Sequence, residues 1–172
     1  IRPGDILHMR NGKTIEVINT DAEGRLIMAD ALAFASESKP DIICDVATLT
    51  GAAYVALGVE IGAVFSNNKV TLDSFLNSNN DGFENYHSLP LEQSYKSQIK
   101  SNIADMKNSG GRFGGAITAA LLLEEFVDDL NWIHLDIAGP ARSRSSNSIY
   151  PEGGTGFGVL GYFNFLANEA NG

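Results

Sequence analysis

Along the chain, the pattern of apolar and polar residues switches repeatedly between the spacing of strands and the spacing of helices. Short apolar runs that predict strands lie at Ile6–Met9, Thr14–Ile18, Asp41–Val46, Gly62–Ser66 and Trp132–Ile137. Helices are predicted at Leu26–Glu37, Ala52–Leu57, Val70–Asn85 (interrupted at Asn79–Gly82), Ala116–Val127 and Phe157–Asn168. Strands that alternate with helices predict an α/β fold, in which a mixed, largely parallel sheet is sandwiched between helices.

The ends of three predicted strands are the expected places for a functional site. Sites in α/β folds lie beyond the carboxyl ends of strands, so the turns after Ile18, Ala47 and Ile137 are expected to share one cleft. The run Asp41–Val46 is almost continuously apolar, which is typical of a strand that is buried on both faces.

The turn after the second predicted strand carries two carboxylates and a guanidinium within five residues. Asp21 and Glu23 are hard oxygen ligands that suit a divalent cation, and Arg25 beside them suits an anion. In a second interpretation, Thr20 and Glu23 form a capping box and only bond free amides at a helix start. A cap requires neither Gly24, which weakens a first helical turn, nor a positive Arg25 beside the positive end of the helix dipole.

Composition and charge narrow the possible partners. Twelve basic residues against 21 acidic ones give a net charge of -9, which argues against a nucleic acid or an anionic membrane as partner. The single cysteine, Cys44, cannot form an internal disulfide, so we expect a cytoplasmic protein. No stretch reaches the ~20 apolar residues that a membrane span requires.

The octapeptide Asn19–Leu26 resembles the signature of the leucine aminopeptidase family, the two-metal cytosol aminopeptidases. Further segments resemble family segments in the family's order, and they are Arg2–Asp5, Ala29–Leu32, Ala47–Ala52, Gly114–Ala120 and His134–Gly139. Several ordered motifs over nearly the whole chain are far more specific than one short motif, so we favour metal ligands over a capping box. The resemblance implies that residues 1–172 are the C-terminal part of a metallo-aminopeptidase catalytic domain.

The resemblance implies a metal-dependent aminopeptidase that uses two-metal-activated water. Such an enzyme releases N-terminal residues from peptides, preferably leucine and other large apolar ones. The implied cofactors are two divalent ions, Zn2+ or Mn2+ with Mg2+ as a further candidate. By resemblance, Asp21 binds one ion through its carboxylate and its backbone carbonyl, and Glu23 bridges the pair. Arg25 is implied to hold a bicarbonate ion, which serves as the general base.

The resemblance also assigns substrate contacts and an assembly. It implies that the Leu49 carbonyl engages the peptide, while Thr48, Gly51 and Ala138 line the pocket for the first side chain. Small residues there leave room for a leucine-sized group, whose burial is worth about 1.5–3 kcal/mol. Without that role, the loop only joins a strand to a helix, with Thr48 or Thr50 as N-cap. The implied assembly is a homo-hexamer built as two trimers.

Some parts of the family's site are expected upstream of Arg2–Asp5. They are a metal-binding lysine, two further aspartates and a second catalytic lysine, and this chain contains none of that region. Asp21 and Glu23 supply too few ligands for two ions, so we expect that the chain alone is not a competent peptidase. Its start at Ile1 is expected of a fragment, a processed product or an isolated domain.

Two alternative functions compete with the aminopeptidase. One is a non-catalytic assembly or binding module of the same fold, in which the acidic turn is only a helix cap. The other is an anion- or nucleotide-binding domain built on the loop Gly110–Gly115, although that loop lacks the Gly-Lys-Ser/Thr ending of a P-loop. We expect the loop to be a packing or hinge element.

Overall fold

A computed structural model of the protein describes residues 1–80, 82–146 and 150–171, without the side chain of Asn171. It divides into two compact units, Ile1–Ile43 with Pro90–Trp132, and Cys44–Leu89 with Ile133–Gly172. The α-helices are α1 Gly24–Ser36, α2 Gly51–Leu57, α3 Lys69–Ser78, α4 Gly115–Glu124 and α5 Val159–Asn171, and a 3-10 helix spans Gln93–Ile99. The strands are β1 Ile6–His8, β2 Thr14–Glu16, β3 Ile42–Ala47, β4 Ile61–Ser66, β5 Asn85–Ser88, β6 Met106–Lys107, β7 Asn131–Asp136, β8 Arg142–Ser143 and β9 Gly153–Gly154.

The first unit contains a three-stranded sheet in the order β1-β2-β6. Strand β2 runs antiparallel to β1 and parallel to β6, with Ile15 opposite Met106. Helix α4 is apolar on almost every side, and its residues 119–123 are completely buried. The predicted buried helix at 116–127 is therefore confirmed, although the regular helix ends at Glu124. These elements bury the strand that leads into the acidic turn.

The second unit contains most of a four-stranded sheet in the order β3-β7-β4-β5. Strand β4 runs antiparallel to β7 and parallel to β5, so the sheet is mixed and the predicted α/β class is confirmed. The two central strands bury Val64 and Leu135 completely. Phe75 of α3 and Phe165 of α5 meet edge to face, with ring centroids 5.6 Å apart.

Two elements differ from the predictions. Strand β3 was predicted to be buried on both faces, but its Val46 is 45% exposed. The reason is that β3 lies at the end of the strand order. Strand β5 has no apolar run and was not predicted; it forms because it pairs with β4 and because Tyr86 packs on Phe75. The predicted helix Val70–Asn85 ends at Ser78, at the expected interruption, and it does not resume after Gly82, since β5 begins at Asn85. Asp81 lies outside the described residues. Within the described ranges, no helix is both long enough and apolar enough to cross a membrane.

Candidate functional site

The acidic turn, residues 19–25, does not form the capping box that the sequence allows. Helix α1 begins at Gly24, its N-cap residue is Glu23, and no side chain caps it. Asp21 and Glu23 are both exposed, and their carboxylates accept no hydrogen bond from the residues that the structure describes. The capping-box interpretation is therefore wrong, and both carboxylates remain available to a ligand.

The backbone of the acidic turn is held by two asparagines. Within the turn, Asn19 Oδ1 accepts a hydrogen bond from the Asp21 amide at 3.0 Å, and the Asn19 carbonyl accepts one from the Ala22 amide at 3.3 Å. The other asparagine is Asn108, which directly follows β6 and is completely buried. Its Oδ1 accepts hydrogen bonds from the amides of Ile18 at 2.9 Å and Asn19 at 3.2 Å.

The side-chain Nδ2 of Asn108 forms two further hydrogen bonds, and the four bonds of this side chain are called the clamp below. Nδ2 donates to the carbonyls of Asn19 at 2.6 Å and Ala22 at 3.4 Å. Sequence reasoning missed Asn108, because the stretch around it has no periodicity and because its partner Ile18 is 90 residues away in the chain. The one available signal is that a polar residue directly follows a strand.

Arg25 lies in the first turn of α1 and is only 8% exposed. Arg25 is therefore not an ordinary surface guanidinium. A buried guanidinium presents a rigid fork of donors that suits a planar anion. Its assignment to bicarbonate stays a prediction.

The second predicted group of site residues lies in the loop between β3 and α2. Thr50 is the N-cap of α2, and its hydroxyl accepts a hydrogen bond from the Ala53 amide at 3.0 Å. This confirms Thr50 as one of the two candidate caps. The cap bond satisfies one of the free amides in the first turn of α2.

Asp136, at the end of β7, holds this loop together with the loop that follows β7. Its Oδ1 accepts hydrogen bonds from the amides of Leu49 at 3.1 Å, Thr50 at 3.3 Å and Ala138 at 3.2 Å. Its Oδ2 accepts one from the Thr50 hydroxyl at 2.6 Å. Asp136 is 1% exposed, so this carboxylate is both buried and hydrogen-bonded.

The loops after β3 and β7 also meet through their backbones. The Ile137 amide donates to the Ala47 carbonyl at 2.8 Å. A Cβ at Gly139 would lie 2.0 Å from the Gly58 carbonyl oxygen, so only glycine fits this approach. The turns after Ala47 and Ile137 thus lie side by side in the second unit. A cleft shared with the turn after Ile18, in the first unit, stays a prediction.

Strand β7 carries a second buried ionisable side chain. His134 is completely buried, and its Nδ1 lies 2.5 Å from Asp45 Oδ1 on β3. Burial alone would lower the pKa of His134, but the charge and hydrogen bond of Asp45 outweigh it and raise the pKa. His134 is therefore a core residue, and its pair with Asp45 joins β3 and β7.

The glycine loop before α4 is shaped by packing. A Cβ at Gly114, which has φ +67°, would lie 2.8 Å from the Tyr95 ring. One at Gly110 would lie 3.2 Å from the Thr118 side chain. Both glycines are therefore explained by close contacts within the first unit, in agreement with the packing interpretation.

The described residues offer few potential metal ligands in one place. Among the described residues, no group of three or more His, Cys, Asp or Glu side chains is arranged to hold a metal ion. Asp21 and Glu23 are two exposed carboxylates, and carboxylate oxygen is the kind of donor that divalent ions accept. The donor set present therefore fits part of a coordination shell.

Together these features define an α/β protein with well-ordered loops at the ends of its strands. The chain belongs to the cytosol aminopeptidase family, since the model of that family's catalytic domain matches residues 1–161. It is 48% identical over 170 residues to a probable cytosol aminopeptidase of Prochlorococcus marinus subsp. pastoris, covering 98% of this chain and 35% of the relative. A probable cytosol aminopeptidase of Syntrophotalea carbinolica is 51% identical over 168 residues, with 98% and 34% covered.

A solved structure with a similar fold is also an aminopeptidase. Tomato leucine aminopeptidase, as the mutant K354E, is similar with a TM-score of 0.92 and 44% identity, over 98% of this chain and 32% of that chain. The chain thus spans about a third of the length of the curated relatives it matches.

Proposed function

We propose that this chain is the C-terminal part of the catalytic domain of a metal-dependent aminopeptidase. The enzyme removes N-terminal residues from peptides, with a preference for leucine and other large apolar side chains. The observation that carries the proposal is the acidic turn, whose two exposed carboxylates accept no hydrogen bond from the described residues. Family membership supports it, because the names of both relatives and of the solved structure describe aminopeptidases.

In this proposal, each site residue has one role. Asp21 and Glu23 would hold two divalent ions, Zn2+ or Mn2+ with Mg2+ as a further candidate, and Arg25 would hold a bicarbonate ion, which would supply a general base. Bound divalent ions would supply Lewis acidity toward the peptide carbonyl and would lower the pKa of water. The substrate is held by the Leu49 carbonyl and, around its first side chain, by Thr48, Gly51 and Ala138. The active protein is a cytoplasmic homo-hexamer.

The decisive experiment is calorimetric titration of the intact protein with Mn2+. We expect binding that Glu23→Ala weakens by about tenfold or more, because a carboxylate ligand is lost. The matched control is Glu60→Ala, which removes an exposed glutamate of the second unit and leaves Mn2+ binding unchanged. Equal binding by the wild type and Glu23→Ala would contradict the metal assignment and favour a non-catalytic module.

A second experiment tests the chain on its own. Two carboxylates are too few for two ions, so residues 1–172 alone should not hydrolyse leucine amide, whereas the intact protein should. Chelator-sensitive hydrolysis by the 172-residue chain would refute this part of the proposal.

A further inference from the structure

We propose that Asn108 is a positioning residue for the metal ions. It fixes the backbone of the acidic turn and thereby sets how tightly Asp21 and Glu23 bind. The inference rests on the proposed function, because it takes those two carboxylates as ligands.

The hydrogen bonds of Asn108 are directed at the residues that place the two carboxylates. Its side chain accepts from the amides of Ile18 and Asn19, which lead into the turn, and donates to the Asn19 carbonyl. Its fourth bond, to the carbonyl of Ala22, reaches the residue between the two proposed ligands. Ala22 itself is only 8% exposed, while Asp21 and Glu23 on either side are exposed. The clamp therefore holds the buried middle of the turn and leaves both carboxylates outward.

An amide is well suited to this role. Asparagine can donate and accept at once, so one buried side chain pairs two amides and two carbonyls. Asparagine is also neutral, so it places no further negative charge beside the two carboxylates that bind the ions. A turn that is ordered before binding loses less conformational freedom when the ions bind, and its affinity is higher for that reason.

The test measures Mn2+ affinity rather than activity, by calorimetry on the intact protein. Asn108→Ala should weaken Mn2+ binding by about tenfold or more, as is typical for loss of a residue that orients metal ligands. The matched control is Asn79→Ala in the second unit. Asn79 is 9% exposed and its Nδ2 donates to the carbonyls of Phe75 at 2.8 Å and Gly161 at 3.3 Å. The Asn79→Ala substitution should lower the melting temperature without changing the affinity for Mn2+.

The outcomes separate this inference from the function on which it rests. If the wild type binds Mn2+ and a folded Asn108→Ala binds it equally well, Asn108 does not position the ligands and the inference is overturned. If the wild type does not bind Mn2+, or Glu23→Ala binds it as tightly, the metal assignment itself has failed.

A wild-type measurement decides the case in which Asn108→Ala does not fold. Coupling between two equilibria is reciprocal, so an ion that gains affinity from the clamp must in turn stabilise the clamp. Mn2+ should therefore slow hydrogen exchange at the amides of Ile18 and Asn19, which donate to Asn108. Unchanged exchange at both amides, in protein saturated with Mn2+, would overturn the inference.

Discussion

Two loops of this chain are each held by one buried side chain, and the two anchors are chemically different. The acidic turn of the first unit is held by Asn108, a neutral amide. The loop between β3 and α2 in the second unit is held by Asp136, a carboxylate. Both side chains are almost completely buried, so solvent does not satisfy them and their partners must.

The partners explain the difference. Asp136 meets three backbone amides and one hydroxyl, and all four groups can donate. A carboxylate offers only acceptors, and its charge strengthens each bond. Asn108 meets two amides and two carbonyls, so a group that both donates and accepts is required. The choice between Asn and Asp thus follows from the donors and acceptors that each loop presents.

The largest effect is expected from removing the charged anchor. Asp136→Ala leaves several buried donors without an acceptor, which should cost about 3–5 kcal/mol of unfolding free energy. Asp136→Asn should cost about 1–2 kcal/mol, because the amide oxygen still accepts while the charge is lost. Chemical denaturation monitored by circular dichroism measures both. If Asp136→Ala costs less unfolding free energy than Asp136→Asn, a group other than Asp136 holds the loop.

A smaller loss is expected for the neutral anchor. Asn108→Ala should cost about 2–3 kcal/mol, less than Asp136→Ala, because hydrogen bonds between neutral groups are weaker than those to a charge. The same denaturation experiment compares the two variants directly. If Asn108→Ala proves the more costly, charge is not what distinguishes the two anchors.

Backbone contact at the second loop can be tested separately from Asp136. A Cβ at Gly139 would lie 2.0 Å from the Gly58 carbonyl oxygen, so Gly139→Ala should cost about 1–3 kcal/mol through forced backbone shifts. Gly154→Ala is the control, since a Cβ there meets nothing within 4 Å. Melting temperatures that fall equally in both variants would argue against a specific close approach.

The smallest effect concerns pH and comes from the buried pair of His134 and Asp45. Burial alone would lower the pKa of His134, but Asp45, helped by the charge of Asp136, raises it above 6.5. Its stabilisation is fully present below the unfolded pKa and is lost as pH rises through the higher folded pKa. Asp45→Asn should flatten this decline as pH rises above 6.5, the ordinary pKa of histidine.

Melting temperatures over that pH range provide the measurement for His134. Asn108→Ala should lower the whole curve and leave its slope unchanged, because an amide carries no charge. A slope that changes in Asn108→Ala, or that stays the same in Asp45→Asn, would contradict the assignment of the pH dependence to the His134 pair.

Much of the fold was predictable because local periodicity reports it. The apolar runs at β4 and β7 and the helical spacing of α1 and α4 match the structure within a few residues. Strand β5 was not predictable, since Asn-Tyr-His-Ser has no apolar run and becomes a strand only by pairing with β4. The exposure of Val46 was not predictable either, because an apolar run does not tell a central strand from one at the end of the order.

The sequence by itself determined the chemical groups of the acidic turn: two carboxylates and a guanidinium in one short stretch between a strand and a helix. Only the tertiary structure decided what holds each loop, since Asn108 and Ile18 are 90 residues apart and Asp136 and Leu49 are 87 apart. Hydrogen bonds over such separations depend on which strands pair, and strand pairing leaves no local pattern in the sequence.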